Sequence, residues 1–216
     1  MRELGIDGIE LDVQLAQTGE PVVFHDWNLI RIGGVDLDVA QTDLDYLKSI
    51  DIGSWFDPTF RDERIPLLDE VFELLADGAF YDIELKSERR RNPRLPVVVA
   101  QVIRRHGLTH RCLVSSFNPL TIRAFRQSEP DVAVAVIYPQ SPALLRMVRG
   151  SVITRCAVVK PNFHQVRTLS LLYHQKIRHR RVCAWTVDTE DDARRLFAAG
   201  VDSIISNHPE RFLHLT

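Results

Sequence analysis

Cysteine is scarce in this chain of 216 residues: three, at positions 112, 156 and 183, an odd number set far apart. That excludes a dense disulfide framework and any paired-cysteine zinc or redox motif. Long apolar runs are missing as well. The longest, residues 132–138, falls far short of the about 20 residues that cross a bilayer. The opening MRELGIDGIE has no basic-then-apolar signal pattern. There is no glycine-rich phosphate loop and no dinucleotide fingerprint. Ser115 and Ser116 in VSSFN lack the glycines of a nucleophile elbow, which argues against a serine hydrolase. No charge sign dominates, since the formal net charge is −2. What is present, 45% hydrophobic and 26% charged residues, is the composition of a globular chain able to bury a sizeable core.

The near-neutral total hides an asymmetry. Residues 1–88 hold 6 of the 27 Lys and Arg but 21 of the 29 Asp and Glu, so the second part of the chain is basic. Two runs carry that excess, ERRRNPR (88–94) and KIRHRR (176–181). Neither is interleaved with the aromatics that a base-stacking surface needs, so both are read as solvated ends and loops, without a nucleic-acid partner.

Strand-like and helix-like segments alternate along the chain. The strand candidates are GIELDV (8–13), PVVFHD (21–26), FYDIELK (80–86), RCLVSSF (111–117), VAVAVIY (132–138), AVVKPN (157–162), RVCAWTV (181–187) and SIISN (203–207). Helical spacing marks 67–78, 95–107, 119–130 and 189–200, with Pro119 at a first helical position and Gly78, Gly107 and Gly200 as stops. This rhythm argues for an α/β chain with a parallel sheet, and so many repetitions suit a barrel better than an open sheet. The exception is 27–66, which is long for a connection, follows directly on His25-Asp26, and is read as a functional or capping insertion. No low-complexity linker interrupts 1–216, which is read as one domain.

The chemistry concentrates in two strands. With period two, Glu10 and Asp12 share one face of GIELDV, while Ile9, Leu11 and Val13 share the other. FYDIELK repeats the parity: Asp82, Glu84 and Lys86 on one face, Tyr81, Ile83 and Leu85 on the other. Carboxylates converging inside a sheet repel one another and lose hydration, and a hard divalent cation with oxygen ligands resolves both costs, with Lys86 left for a phosphate. Water-bathed rim carboxylates, or an internal Glu–Lys ion pair, are the alternatives. His25, at a strand end, is placed to move a proton near neutral pH, although a histidine there is more often structural.

Together these residues resemble a known family. LGIDGIELDVQLAQTGEPVVFHD is similar to the signature of the glycerophosphodiester phosphodiesterases. The resemblance continues through IGSWFDPTFRDERIPLLDEVFELL, DIELK, SSFNP, WTVD and GVDSIISNHPE. It implies a (β/α)₈ TIM-type barrel with its site at the C-terminal ends of the strands. It further implies metal-dependent hydrolysis of a glycerophosphodiester to sn-glycerol 3-phosphate and an alcohol, a step of lipid metabolism, with Mg²⁺ or Ca²⁺ as cofactor. Carried over by position, Glu10, Asp12 and Glu84 match metal ligands, and His25 matches one of two catalytic histidines. Lys86 matches a basic residue near the phosphate, and Phe117 and Trp185 match aromatics lining the substrate pocket. Barrel-core packing is nearly as good an account of those two aromatics.

Two departures stand out. The family begins with a strand ending in His-Arg-Gly and a helix leading into the GIELDV-type strand, whereas here MRELG resembles only that helix's last turn. The barrel is therefore expected to lack its first strand and most of its first helix, leaving open strand edges through which an oligomer could form. In addition, Ser206-Asn207 stands where the family usually has Thr-Asp. Three readings of the chain follow: a fragment of a longer frame, a catalytically silent barrel that binds a phosphodiester or a protein, or a barrel completed by a neighbouring chain. A phospholipase D-type activity on lysophospholipids is the enzymatic alternative. The scattered cysteines point to the cytoplasm.

Overall fold

In the computed structural model, which describes residues 5–87, 92–139 and 154–215, the two acidic strands lie side by side. β1 (Gly8–Leu15) and β3 (Phe80–Leu85) are parallel, with Glu10 opposite Asp82 and Asp12 opposite Glu84. From β3 the sheet continues in parallel through β4 (Cys112–Ser116), β5 (Ala133–Tyr138), β6 (Val158–Pro161), β7 (Arg181–Ala184) and β8 (Ser203–Ile204). All eight strand candidates form, and the alternation of buried apolar and polar positions follows the expected parity. Tyr81, Ile83 and Leu85 are fully buried beneath the helices, while Asp82, Glu84 and Lys86 face the enclosed side.

The sheet curls. Lys160 on β6 reaches Asp82 on β3, with Nζ 2.9 Å from the carboxylate. Those strands are three positions apart, which in a flat sheet would separate them by roughly 14 Å. A lysine spans that distance only if the strands bend round a common interior.

One expectation needs correction. PVVFHD is not a stave of the parallel barrel. β2 (Pro21–Val23) is a short antiparallel arm on β1, joined by the turn at 16–20 in which Gly19 has φ 109°. A five-residue connection cannot make the crossover that parallel strands require. Among the described residues seven strands are therefore parallel, and the ordered sheet ends at β8 without pairing back to β1. A cavity of about 590 Å³ occupies that seam, lined on one side by Gly8, Ile9 and Glu10 and on the other by Ser203, Ile204 and Phe212.

The helices form where local chemistry favours them. α1 (Ile30–Gly33) and α2 (Leu44–Ser49) lie in the insertion, and α3 (Leu68–Leu75) precedes β3. α4 (Arg94–Arg105) stops before Gly107 at φ 66°, a conformation glycine adopts without strain. α5 (Pro119–Ser128) starts with the Asn118 side chain accepting from the Leu120 amide. α6 (Thr168–Leu171) is a single turn continued by a π-helical segment. α7 (Glu190–Ala198) is capped by Thr189, and three acidic residues in its first turn complement the helix dipole. The insertion has a core of its own, built on Leu29, Val39, Leu47, Ile50 and Ile65 together with Phe24. Residues 88–91 of the first basic run, and most of MRELG, lie outside the described residues.

Candidate functional site

Parallel pairing of β1 with β3 brings the inward carboxylates together. Glu10, Asp12 and Glu84 each offer an oxygen, and these oxygens lie within 4.8 Å of one another. Burial pushes the Glu10 carboxyl up to about 8; Lys160 works against that shift, and Asp12, Asp82 and Glu84 reinforce it. A cluster of hard oxygen donors whose mutual repulsion a proton on Glu10 only partly relieves fits a divalent cation.

The Lys86 Nζ sits 3.2 Å from Asp12 and 3.4 Å from Glu84, with the Trp27 ring centroid 5.7 Å away. The internal Glu–Lys pair considered as an alternative is thus real, and it involves two of the three candidate ligands.

A second lysine lies deeper and was not singled out from the sequence. Lys160 is essentially without solvent contact, and its ammonium donates to Asp82 at 2.9 Å and to Ser115 Oγ at 3.0 Å. Burial acts to lower its pKa, but Asp82 and Glu10 outweigh burial and hold the ammonium above its ordinary range. The signal for it was a lone charge in the apolar strand VVKP, a position that demands a partner.

β2 runs antiparallel to β1, so the chain beyond it returns along β1, and His25 follows directly on Phe24, which lies abreast of Asp12. The Phe24 amide donates to the Asp12 carbonyl at 2.9 Å, which keeps this segment beside the acidic cluster. Gln14, nearly buried, donates from Nε2 to the carbonyls of both Phe24 and Asp26, at 2.9 and 2.7 Å, and so pins the main chain on either side of His25. The His25 ring contacts Asp26 through Nδ1 at 2.7 Å. Gln14 too escaped the sequence reading, because a glutamine in a strand carries no signal of its own.

Phe117 and Trp185 follow β4 and β7, on the C-terminal side of the sheet, and pack edge to face with centroids 5.6 Å apart. Trp185 Nε1 donates to the Lys160 carbonyl at 2.9 Å, so the ring is tied to the strand that carries the buried lysine. At the departure Ser206-Asn207, Asp188 accepts from the Asn207 amide at 2.9 Å, from Asn207 Nδ2 at 3.0 Å and from Ser206 Oγ at 3.1 Å. Asparagine is thus built into a turn in which its side chain donates.

Comparison with known proteins bears on the family and the fold. The profile of the glycerophosphoryl diester phosphodiesterase family matches residues 1–211. A glycerophosphodiester phosphodiesterase of Caldanaerobacter subterraneus is 32% identical, over 99% of this chain and 87% of its own length. One from Bacillus altitudinis is 28% identical, over 96% and 85%. Among solved structures, an Oleispira antarctica phosphodiesterase in complex with the product sn-glycerol-3-phosphate superposes with a TM-score of 0.89, at 26% identity, covering 98% of this chain and 85% of that one.

Proposed function

The chain belongs to the glycerophosphoryl diester phosphodiesterase family, and from that premise we propose that it hydrolyses a small glycerophosphodiester to sn-glycerol 3-phosphate and an alcohol. Water adds at phosphorus, the bond from phosphorus to the alcohol oxygen breaks, and that oxygen takes up a proton. The observation carrying this reading is the convergence of Glu10, Asp12 and Glu84 on adjacent parallel strands, beside the segment that carries His25. These three carboxylates would hold a divalent cation, Mg²⁺ or Ca²⁺, which when bound supplies Lewis-acid polarisation of a phosphoryl oxygen. His25 transfers the proton to the leaving oxygen or from the attacking one. Lys86, drawn away from Asp12 and Glu84, balances charge on the phosphate. Phe117 and Trp185 form an apolar wall for the glycerol moiety.

The reading extends to organisation. We take the chain as one barrel domain with 27–66 as its cap, acting in lipid metabolism, and place any self-association at the open edges of β1 and β8. No described helix is long and apolar enough to cross a membrane. Three free, buried cysteines suit a reducing compartment, and so the cytoplasm.

The test is release of glycerol 3-phosphate from glycerophosphocholine and glycerophosphoethanolamine, assayed with Mg²⁺, with Ca²⁺ and with EDTA. Metal-dependent release that disappears in Glu84→Gln and falls about 10²-fold or more in His25→Ala supports the reading. A folded chain that releases nothing with either metal refutes it and returns the protein to the silent, ligand-binding alternative.

A further inference from the structure

The insertion bears directly on the residues beside His25. Its first helix, α1, carries Arg31, which grips Asp26 with both arms of its guanidinium. Nε donates to Oδ2 at 2.7 Å and Nη2 to Oδ1 at 3.1 Å. The same Oδ1 meets His25 Nδ1 at 2.7 Å. On its far side Arg31 lies against the Trp55 ring, with the guanidinium carbon 5.1 Å from the centroid. Trp55 belongs to the later part of the insertion, so two separate segments of the cap converge on the group beside His25.

We infer that Arg31 is a positioning residue for His25, orienting the Asp26 carboxylate so that it accepts from Nδ1–H and leaves Nε2 as the nitrogen presented to the substrate. Three constraints lead there. Gln14 fixes the main chain on both sides of His25, so only the ring's rotation and tautomer remain to be set. Asp26 sets both, since a carboxylate beside Nδ1 selects the tautomer that can donate to it. Asp26 itself is held by the Arg31 fork, whose planar bidentate geometry a lysine cannot reproduce. The hydrogen bond from Arg31 also holds the Asp26 carboxyl below the ordinary range, so it remains an acceptor.

An ion pair that serves only the surface would read differently. Arg31 is half exposed and Asp26 much less so, and exposed pairs contribute little to stability. Removing Arg31 should therefore leave the fold intact and disturb only the histidine. The catalytic part of this inference rests on His25 being the proton carrier; the tautomer part does not.

The experiment is long-range ¹H–¹⁵N NMR of the His25 ring at about pH 8, with steady-state kinetics alongside, in wild type, Arg31→Met and Arg31→Lys. In wild type His25 should be the Nδ1–H tautomer. In Arg31→Met it should shift to a mixture, with kcat down about 10- to 100-fold, KM within twofold and Tm within about 2 °C. Arg31→Lys should fall between. A wild-type ring protonated at Nε2, or an Nδ1–H tautomer unchanged in Arg31→Met, overturns the inference; so does an unchanged kcat in an active enzyme. If wild type shows no turnover with any metal, the hydrolase reading fails while the tautomer measurement still decides the role of Arg31.

Discussion

Replacing Lys160 with methionine isolates the buried charge balance of the barrel. The side chain lies in the interior, donating to Asp82 and Ser115, with Glu10 acting on it from β1. Methionine is similar in length and leaves little void, so the cost is electrostatic: Asp82 stays behind with 8% exposure and no counter-ion at 2.9 Å. Removing one partner of a buried pair typically costs about 3–5 kcal/mol. For a domain of this size each kcal/mol moves Tm by about 2–4 °C, so Lys160→Met should melt roughly 6–20 °C lower. The assay is urea and thermal unfolding in EDTA, run as a cycle with Asp82→Asn and the double variant. Asparagine can still accept from Ser115 without a charge to bury, so the double variant should recover much of the loss. A cost below about 1 kcal/mol for Lys160→Met, or strictly additive single and double variants, would refute the claim that this pair balances the interior. Because Lys160 also holds Glu10 down, the variant should need a higher pH to bind metal.

Further outcomes follow from the same contacts. Glu10 rises from 4.5 to about 8 on folding, so the folded chain binds its proton more tightly than the unfolded one. Its contribution is therefore full below about pH 4.5 and lost as pH rises towards 8, on the order of a few kcal/mol in EDTA. Saturating Mg²⁺ or Ca²⁺ at pH 8 should raise Tm, whereas a flat pH profile in EDTA would remove Glu10 from the buried cluster. Lys86→Met should weaken glycerol 3-phosphate binding by about tenfold or more while leaving cation affinity equal or tighter, since the ammonium no longer competes for Asp12 and Glu84; weaker cation binding measured by calorimetry would contradict that competition. Asp188→Ala removes the shared acceptor of the exposed Asn207 amide and side chain, which water can rehydrate, and should cost about 0.5–1.5 kcal/mol in urea unfolding.

Strand parity made the acidic cluster legible before any coordinates. A parallel stave has period two, so GIELDV and FYDIELK could place their carboxylates only on one face, and the register of β1 with β3 then sets them side by side. The helix boundaries were legible for the same local reason, since Asn118-Pro119, Thr189 and Gly107 act within one turn. The direction of β2 was misread although its signal was present: a five-residue link containing a glycine forms a hairpin, not a crossover. The state of Lys86 was left open between an ion pair and a phosphate contact, because four flexible methylenes let the ammonium fold back onto Asp12 as readily as point outward. The meeting of Arg31 with Trp55 could not be read. It depends on the insertion folding on its own small core, a tertiary event that no spacing encodes.

Among the described residues four carboxylates and two lysines line this interior, and the two lysines behave differently for a physical reason. Lys160 is sealed among β3, β4 and β6 and keeps its partners, so it is part of the scaffold. Lys86 lies at the C-terminal end of β3 beside the mouth, paired with two of the three candidate ligands at 3.2 and 3.4 Å, longer than the 2.9 Å at Lys160. A cation settling on Asp12 and Glu84 must displace it, and a displaced ammonium at the mouth seeks an anion. If the site works as proposed, cation binding and phosphodiester binding would be coupled through one side chain, and by linkage the coupling would be reciprocal, with a typical size of about 1–3 kcal/mol. The open seam beside Glu10 acts on the same balance: whatever excludes water there makes Glu10 harder to ionise alone and raises the advantage of the cation.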